Sequence, residues 1–517
     1  MGMLITLWYE CAGVLDGFVE LASFLPHVAA RVPHKAAMVW RGTVTTYAEL
    51  DSGTSRLAGS LEAAGFVRGD RIGALMENSP EMVGVWLATL RAGCVFVPFN
   101  TALRGEMLGY QLHNSGVRLL FVDSSLLSNL EGLSLEGVRV VVNKVGEGLM
   151  GFGAEGGPTH VPVRVDRSDP AVVLYTSGTT GSPKGVVLPH YAFINRVMEI
   201  ERIVHLRGDD VLYNSLPLYH TSGQVMTTLP ALLNGLTVVQ QERFHASTFW
   251  SLAASSGATV SFLLNRMVNI LLNTRDRFEK NALRVVMCGG VRKDTLQMFE
   301  GVFGVRLLEG FGMTETCGIA LYNTLDEDKE GSVGKALPSV EAKLSGGGSE
   351  GELMLRPKIP STMFTGYLGE DPIHWERGEW FNTGDILSVD AEGFYYYVER
   401  KKDLIRSRGE NISPTTIESA VEGFPGVVEC AAVGVPSGLG DEDILVAIKS
   451  TMEVKPLELM AYLSQRLPYY MLPRYLLFVD EIPKTPTQKL RREAVRRLGL
   501  NGAIDVSELG FHVRRPS

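Results

Sequence analysis

Cysteine is scarce in this chain of 517 residues, and its cysteines are not arranged in pairs. An odd number of dispersed cysteines argues against a disulfide framework, and the absence of any C-x-x-C pair argues against a structural zinc site. We therefore expect a reducing compartment and a cytoplasmic protein. The five cysteines are Cys11, Cys94, Cys288, Cys317 and Cys430.

An excess of positive charge is also missing. The formal net charge is −9, from 49 basic and 58 acidic residues, which argues against nucleic acid as a main partner. The apolar N-terminal stretch has no basic leader and contains Glu10, Asp16 and Glu20. We therefore expect neither a signal peptide nor an integral membrane segment. Internal repeats and long low-complexity tracts are absent as well.

What the chain does have is a globular composition and a regular alternation of elements. Hydrophobic residues are 45% and charged residues 21%, and the length predicts more than one domain. Helical patterns at 47–64 and 79–92 alternate with strand-like runs, which is typical of βαβ units in parallel sheets. The predicted strands are residues 71–76, 95–98, 119–122, 138–142, 210–215, 237–240, 259–263, 284–288 and 305–308.

The pattern changes in the last third of the chain. After the glycine turn at 346–348, short strands predict a small β-rich subdomain. A charge cluster, ERKKD at 399–403, marks the domain boundary that we predict at 400–404. Beyond it, a helix, two strands and a second helix predict a compact α+β unit, at residues 415–423, 427–435, 444–450 and 456–467. The fold class is therefore α/β, with a large N-terminal domain (1–400) and a small C-terminal domain (401–517).

Residues 175–185 form the most informative run, YTSGTTGSPKG. Apolar runs on both sides predict a strand before it and a second strand or a turn after it. Glycines let backbone N–H groups converge on an anion, and hydroxyls and a lysine complete such a cradle. The run therefore predicts a phosphate-binding loop, formed by Thr176, Ser177, Gly178, Thr179, Thr180, Gly181 and Lys184.

The spacing of this loop does not fit the Walker pattern G-x-x-x-x-G-K-[ST]. Gly178 and Gly181 are three residues apart, and no Ser or Thr follows Lys184. These differences argue against a kinase-like site for γ-phosphate transfer. The alternative is a surface turn rich in Ser, Thr and Gly, which the Pro-Lys-Gly sequence at 183–185 disfavours.

The run EGFGMTE at 309–315 is the second strong signal, because it follows directly after a predicted strand. Phe311 can stack on a purine, and Thr314 can donate a hydrogen bond to a phosphate oxygen. Glu315 is a hard oxygen ligand suited to Mg²⁺ that is shared with a triphosphate. Taken alone, the same run also fits a turn with one exposed glutamate.

In this order, the two runs closely resemble those of the adenylate-forming (AMP-binding) enzymes, which include acyl-CoA synthetases, luciferases and peptide-synthetase adenylation domains. The resemblance covers roughly residues 25–500. It implies an ATP-dependent carboxylate–CoA ligase that uses ATP, Mg²⁺ and CoA. Such a ligase first forms an acyl-adenylate and releases pyrophosphate, and then transfers the acyl group to CoA and releases AMP.

The resemblance also implies roles for residues in the later motifs of the large domain. His220, in PLYHTSG, would lie beside the acyl group and gate its entry. Gly289 and Gly290 would let a flat ligand lie against the backbone, and Asp385 would accept hydrogen bonds from the ribose hydroxyls. Without the resemblance, a lone histidine after a strand and the NTGD run around Asp385 are more often structural.

Further roles are implied around the domain boundary and near the C-terminus. Arg400 would contact the ribose, Asp403 would be the pivot, and Gly409 would lie along the path of the pantetheine. Lys489, followed by Leu-Arg-Arg, would be the catalytic lysine. Because members of this family rotate their C-terminal domain between the two half-reactions, the resemblance implies that residues 401–517 form a mobile domain.

Three positions depart from the family pattern, and several alternatives stay open. Val291-Arg292 departs from the usual Gly-Gly-Ala-Pro or Gly-Glu, Gln488 stands where most members have glycine, and Thr416 replaces an acidic residue. The favoured substrate is a fatty or other medium- or long-chain carboxylate. The alternatives are an enzyme that loads a separate carrier protein and a carnitine/crotonobetaine-type CoA ligase. A homodimer is one of the assemblies that we consider.

Overall fold

In the computed structural model, the described residues are 20–144, 159–176, 183–291, 293–400, 405–438, 440–483 and 492–511. Nearly every predicted strand is present within one or two residues of its predicted bounds. The first twelve strands are β1 (Ala36–Trp40), β2 (Thr43–Thr46), β3 (Arg71–Leu75), β4 (Val95–Pro98), β5 (Leu119–Asp123), β6 (Arg139–Asn143), β7 (Pro170–Thr176), β8 (Lys184–Pro189), β9 (Val211–Asn214), β10 (Thr237–Gln240), β11 (Val260–Leu264) and β12 (Val285–Gly289).

The remaining strands include the predicted β-rich region and the C-terminal unit. They are β13 (Arg306–Phe311), β14 (Leu321–Tyr322), β15 (Lys335–Ala336), β16 (Val340–Leu344), β17 (Glu350–Pro357), β18 (Gly366–Tyr367), β19 (Phe381–Val389), β20 (Tyr395–Arg400), β21 (Ile405–Ser407), β22 (Glu410–Ile412), β23 (Val427–Pro436), β24 (Glu442–Ser450), β25 (Tyr475–Phe478) and β26 (Ile504–Asp505).

The helices connect these strands and cover the sheets. Thr46 and Glu49 form a capping box that starts α2, close to the predicted start at residue 47. A π-helical segment, Gln224–Thr228, joins α6 and α7. The helices are α1 (Phe24–Arg31), α2 (Tyr47–Ala63), α3 (Pro80–Arg91), α4 (Gly105–Ser115), α5 (His190–Ile203), α6 (Thr221–Gly223), α7 (Leu229–Leu233), α8 (Phe249–Ser255), α9 (Asn265–Asn273), α10 (Lys293–Phe303), α11 (Pro414–Glu422), α12 (Pro456–Ser464) and α13 (Arg492–Leu498).

Two large sheets form the main body of the protein. One has seven strands in the order β18-β8-β7-β4-β3-β5-β6, and the other has nine in the order β15-β14-β13-β12-β11-β9-β10-β1-β2. The inner strands pair in parallel, as the alternation of strands and helices predicts. Strand β5, LLFVD, is buried along its whole length, which is typical of a parallel strand covered on both faces. Antiparallel strands at the edges make both sheets mixed.

The β-rich region after residue 337 is a four-stranded antiparallel sheet in the order β16-β17-β19-β20. A bulge interrupts the pairing of β17 with β19, because Glu352 pairs with Ile386 while Met354 pairs with Asn382. Gly384 lies in this bulge with φ +77°, a left-handed conformation that glycine adopts without strain. Asp385 lies in the same bulge, directly after Gly384.

The C-terminal unit has its own small sheets and its own apolar core. Strands β21 and β22 form a two-stranded ribbon, and β23-β24-β25-β26 form a mixed four-stranded sheet. Helices α11 and α12 pack on this sheet through buried residues such as Ile417, Val421 and Leu459. The predicted boundary at 400/401 stays a prediction, because residues 401–404 lie outside the described part of the chain. Among the helices that are described, none is long and apolar enough to cross a membrane.

Candidate functional site

One cavity of about 2370 Å³ runs between the two large sheets and the C-terminal unit. The predicted site residues whose side chains are described all line it. Ser177, Gly178, Thr179, Thr180, Gly181, Asp403 and Lys489 lie outside the described residues, and only the backbone of Arg400 is described. The predicted residues that line the cavity are Thr176, Lys184, His220, Gly289, Gly290, Phe311, Thr314, Glu315, Asp385 and Gly409.

The two ends of the predicted phosphate loop lie side by side. Thr176 ends β7 and pairs with Lys184, the first residue of the antiparallel strand β8. The Lys184 ammonium lies 2.8 Å from the Glu370 carboxylate and 4.5 Å from the centre of the Tyr367 ring. Both contacts hold a half-exposed lysine at the base of the loop. A lysine in this position can neutralise phosphate charge within the cavity.

Glu315, the predicted magnesium ligand, is held in a buried turn. A short 3₁₀ turn, Thr314–Thr316, directly follows β13, and Glu315 is 6% exposed. The Tyr367 hydroxyl donates a hydrogen bond of 2.8 Å to Glu315, and burial together with this carboxylate raises the pKa of Tyr367. Mg²⁺ that is shared with substrate phosphates needs only one or two protein carboxylates. A single buried carboxylate that lines the cavity fits that requirement.

A pair of aromatic rings and a carboxylate also line the cavity. Phe311 ends β13, and its ring stacks on that of Tyr397 with the centroids 6.5 Å apart. Asp385 is 4% exposed, and its backbone N–H donates to the Thr383 hydroxyl oxygen. Tyr397 also donates a hydrogen bond of 3.4 Å to Asp385. Tyr397 therefore braces both predicted nucleotide contacts, and no motif in the sequence identifies it.

A buried acid, Glu309, was also missed by the motif analysis. It lies two residues before Phe311 on β13, so both side chains project from the same face of the strand. Burial raises the pKa of Glu309 to about 8, although the Val291 N–H and the charge of Arg406 oppose this change. Alternation along the strand could have identified it, because Glu309 and Phe311 both line the cavity.

Arg406, from the C-terminal unit, reaches the glycines at the end of β12. Its guanidinium lies close to Gly290. A Cβ added to Gly290 would lie 3.0 Å from an Arg406 guanidinium nitrogen, which is a tight contact. Gly290 has φ +75°, which also favours glycine at this position. The C-terminal unit therefore contacts the end of β12 at Gly290, and the flat surface expected at Gly289 and Gly290 stays a prediction.

His220, the predicted acyl gate, also contacts the C-terminal unit. Its Nε2 lies 3.0 Å from the Glu410 carboxylate at the start of β22. Burial lowers the pKa of His220, but the charge and hydrogen bond of Glu410 outweigh this effect and raise it. Gly409 precedes Glu410 in the turn between β21 and β22 and also lines the cavity. The histidine and the predicted pantetheine turn are therefore brought together.

Comparison with known proteins agrees with this geometry. The family profile described as AMP-binding enzyme matches residues 25–368, and that of the AMP-binding enzyme C-terminal domain matches residues 416–489. A feruloyl-CoA synthase from Amycolatopsis is 32% identical and covers 92% of this chain and 98% of its own length. A long-chain-fatty-acid–CoA ligase from Mycobacterium tuberculosis is 28% identical and covers 87% of this chain and 92% of its own length.

Two solved structures of the same enzyme differ in how closely their folds superpose on this structure, as the TM-score measures it. A double mutant of o-succinylbenzoate CoA synthetase from Bacillus subtilis, bound to a product analogue, OSB-NCoA, has a TM-score of 0.81. It is 27% identical and covers 92% of this chain and 98% of its own. The same enzyme with its acyl-adenylate intermediate, OSB-AMP, has a TM-score of 0.67 at 27% identity, covering 94% and 99%. The present structure is therefore more similar to the complex with the CoA analogue.

The profile matches extend over most of the chain, and the curated relatives are full-length counterparts that form acyl-CoA thioesters. The order of motifs in the sequence agrees with these matches, and the described site residues line one cavity. The chain therefore belongs to the AMP-binding enzyme family and is an AMP-forming acid–thiol ligase that joins a carboxylate to CoA with the use of ATP and Mg²⁺.

Proposed function

We propose that this ligase acts on an apolar carboxylate, a fatty or other medium- or long-chain acyl acid. The observation that carries the proposal is the set of apolar side chains that line the cavity shared with His220. Apolar walls stabilise an acyl chain by removing its surface from water, at about 25 cal/mol per Å². The apolar residues that line the cavity include Phe262, Leu264, Met267, Ile319 and Val333.

We further propose how the residues divide the first half-reaction. Both reactants are anionic, so the main barriers are charge repulsion and alignment. Lys184, with the loop at 177–182, would hold the pyrophosphate that leaves, and Glu315 would hold Mg²⁺. Phe311 would stack on the adenine, while Asp385 and Arg400 would bind the ribose. Lys489 would bridge the carboxylate and the α-phosphate, and Mg²⁺, when bound, neutralises phosphate charge.

For the second half-reaction we propose that the thiol enters beside Gly409 and His220. The adenylate is already activated, so a thiol can attack it without a strong general base. The C-terminal unit contacts the large domain at both of these residues. The structure of the whole chain is more similar to the CoA-analogue complex than to the acyl-adenylate complex of the same enzyme. This likeness supports the proposal that the structure represents the arrangement for thioester formation. In the nucleotide site, which both half-reactions use, Thr314 would donate a hydrogen bond to a phosphate oxygen.

The proposal is tested by measuring the release of AMP and pyrophosphate with a panel of acids in the presence of CoA. The panel contains straight-chain acids of graded length, ferulate, and carnitine with crotonobetaine. We expect kcat/KM to rise with chain length up to the depth of the pocket. A preference for carnitine or crotonobetaine, or activity confined to short polar acids, would contradict the apolar proposal.

The thiol acceptor and the assembly are tested separately. Product analysis with free CoA and with an added acyl carrier protein distinguishes a CoA ligase from a carrier-loading enzyme. We expect the thioester to form with free CoA, because the curated relatives are named for acyl-CoA synthesis or CoA ligation. We also propose a cytoplasmic location, which cell fractionation tests, and a homodimer, which light scattering at several concentrations tests.

A further inference from the structure

A single carboxylate, Asp441, joins the C-terminal unit to the large domain and also fixes the turn before Gly409. Arg266, in α9 of the large domain, donates from one guanidinium nitrogen to both Asp441 oxygens, at 2.8 and 3.0 Å. The backbone N–H of Arg408 donates to Asp441 at 2.6 Å, and the Ser437 hydroxyl donates at 2.9 Å. Asp441 is 5% exposed and Arg266 25% exposed, so solvent screens this ion pair less than one at the surface.

The turn that Asp441 holds has an uncommon backbone conformation. Arg408 has φ +54°, in the left-handed region that residues with a Cβ rarely adopt. Such a conformation persists only when surrounding contacts stabilise it. The bond from the Arg408 N–H to Asp441 is one of these contacts, and the Arg408 guanidinium donates to the Tyr469 carbonyl at 2.7 Å. Gly409 follows at φ +83° and lies against Leu264.

The start of α9 also contacts Gly440, the residue before Asp441 in the same loop. The Asn265 amide donates to the Gly440 carbonyl at 2.7 Å. Gly440 has φ +86°, and a Cβ there would lie 2.5 Å from the Asn269 amide nitrogen. Glycine adopts this φ without strain, and a Cβ at this position would displace the Asn269 side chain. The contact surface is therefore built from an ion pair, an amide–carbonyl bond and a close backbone approach.

From these contacts we infer that Arg266 and Asp441 are positioning residues for thioester formation. When the C-terminal unit docks, Arg266 pairs with the Asp441 carboxylate, which also holds the turn at Arg408. Docking therefore fixes the backbone at Gly409, where the thiol is proposed to enter. The inference rests on the proposed second half-reaction. It predicts that the adenylation step, which Lys489 is proposed to drive, does not need this ion pair.

The test measures the two half-reactions separately. Carboxylate-dependent exchange of pyrophosphate into ATP reports adenylation, and single-turnover acyl transfer from supplied acyl-adenylate to CoA reports thioester formation. For Arg266→Ala we expect thioester formation to fall about tenfold or more, with exchange within about twofold of wild type. Arg266→Lys keeps the charge and should restore most of the rate.

The variants of Asp441 separate its two contacts. Asp441→Asn retains an oxygen that can accept from the Arg408 N–H, so we expect a loss similar to that of Arg266→Ala. Asp441→Ala also releases the turn and should lose more. Arg118→Ala is the matched control, because it breaks an ion pair of 2.6 Å to the mostly buried Asp70 within the large domain. It should change neither half-reaction.

The outcomes distinguish this inference from the proposed function. If Arg266→Ala leaves both half-reactions unchanged, or lowers both equally, the positioning role is wrong while the ligase activity stands. If wild type shows no carboxylate-dependent exchange, the proposed first step fails instead. A spin-label distance between the two units should lengthen in Arg266→Ala in the presence of CoA. An unchanged distance distribution would contradict the docking role.

Discussion

The nucleotide side of the cavity and its thiol side are built in different ways. Glu315 and Asp385 are buried, at 6% and 4% exposure, and neighbours within the same body of the protein brace them. On the thiol side, single polar pairs such as His220–Glu410 and the pair made by Asp441 join two separate units. The His220–Glu410 pair is partly exposed, and such pairs contribute little individually, so it forms and breaks at small cost, whereas the better shielded pair of Asp441 with Arg266 contributes more. We therefore expect a movement of the C-terminal unit to change the thiol side and to leave Glu315 and Asp385 with their present neighbours.

The largest expected effect separates the two half-reactions at Lys489. Lys489→Ala should abolish adenylation and spare thioester formation from supplied acyl-adenylate. Loss of one preorganised charge costs about 3–4 kcal/mol of transition-state stabilisation, or several hundredfold in rate. Exchange of pyrophosphate into ATP measures this loss. Lys455→Ala, which removes an exposed lysine of the same unit, is the control and should exchange at the wild-type rate.

Next in size is the effect of removing the buried carboxylate of the nucleotide side. Glu315→Gln should slow adenylation by about a hundredfold and raise the Mg²⁺ concentration needed for half-maximal rate, because a neutral amide binds Mg²⁺ weakly. Tyr367→Phe removes only the hydrogen bond to Glu315 and should cost about 1 kcal/mol. A Mg²⁺ titration of each variant checks both effects. An unchanged Mg²⁺ requirement in Glu315→Gln would show that this residue does not hold the metal.

The same contrast explains how much could be predicted from the sequence. Thr176, Lys184 and Phe311 lie at strand ends that apolar runs and turn residues identify locally, so their places agree with prediction. Their partners depend on the tertiary fold. Tyr367 lies 52 residues from Glu315, and Glu410 lies 190 residues from His220. No local pattern relates such positions, and the left-handed turn beside Asp441 is set by a contact that only the folded chain makes.

An effect on stability rather than on the rate of either half-reaction is expected at Glu309. Its pKa is raised to about 8 from an ordinary 4.5, so the folded protein holds this proton more tightly than the unfolded chain does. The free energy of unfolding should therefore fall between pH 4.5 and pH 8, by a few kcal/mol at most. Glu309→Gln should remove this contribution. Urea titrations at pH 5 and pH 8.5 measure it, with the exposed Glu136→Gln as a control that keeps the wild-type pH dependence.

The smallest effect tests whether the thiol side is held by polar pairs at all. Glu410 raises the pKa of His220 against the effect of burial, so Glu410→Gln should lower that pKa, measured by NMR titration of the ring. A raised histidine pKa stabilises the contact at acidic pH, and this contribution is lost as pH rises through the raised value. Docking should thus weaken at alkaline pH in wild type and lose this dependence in Glu410→Gln. If the pKa of His220 is the same in both proteins, the pair does not form in solution, and the thiol side must be held by the Asp441 contacts and the approach of Gly409 to Leu264 instead.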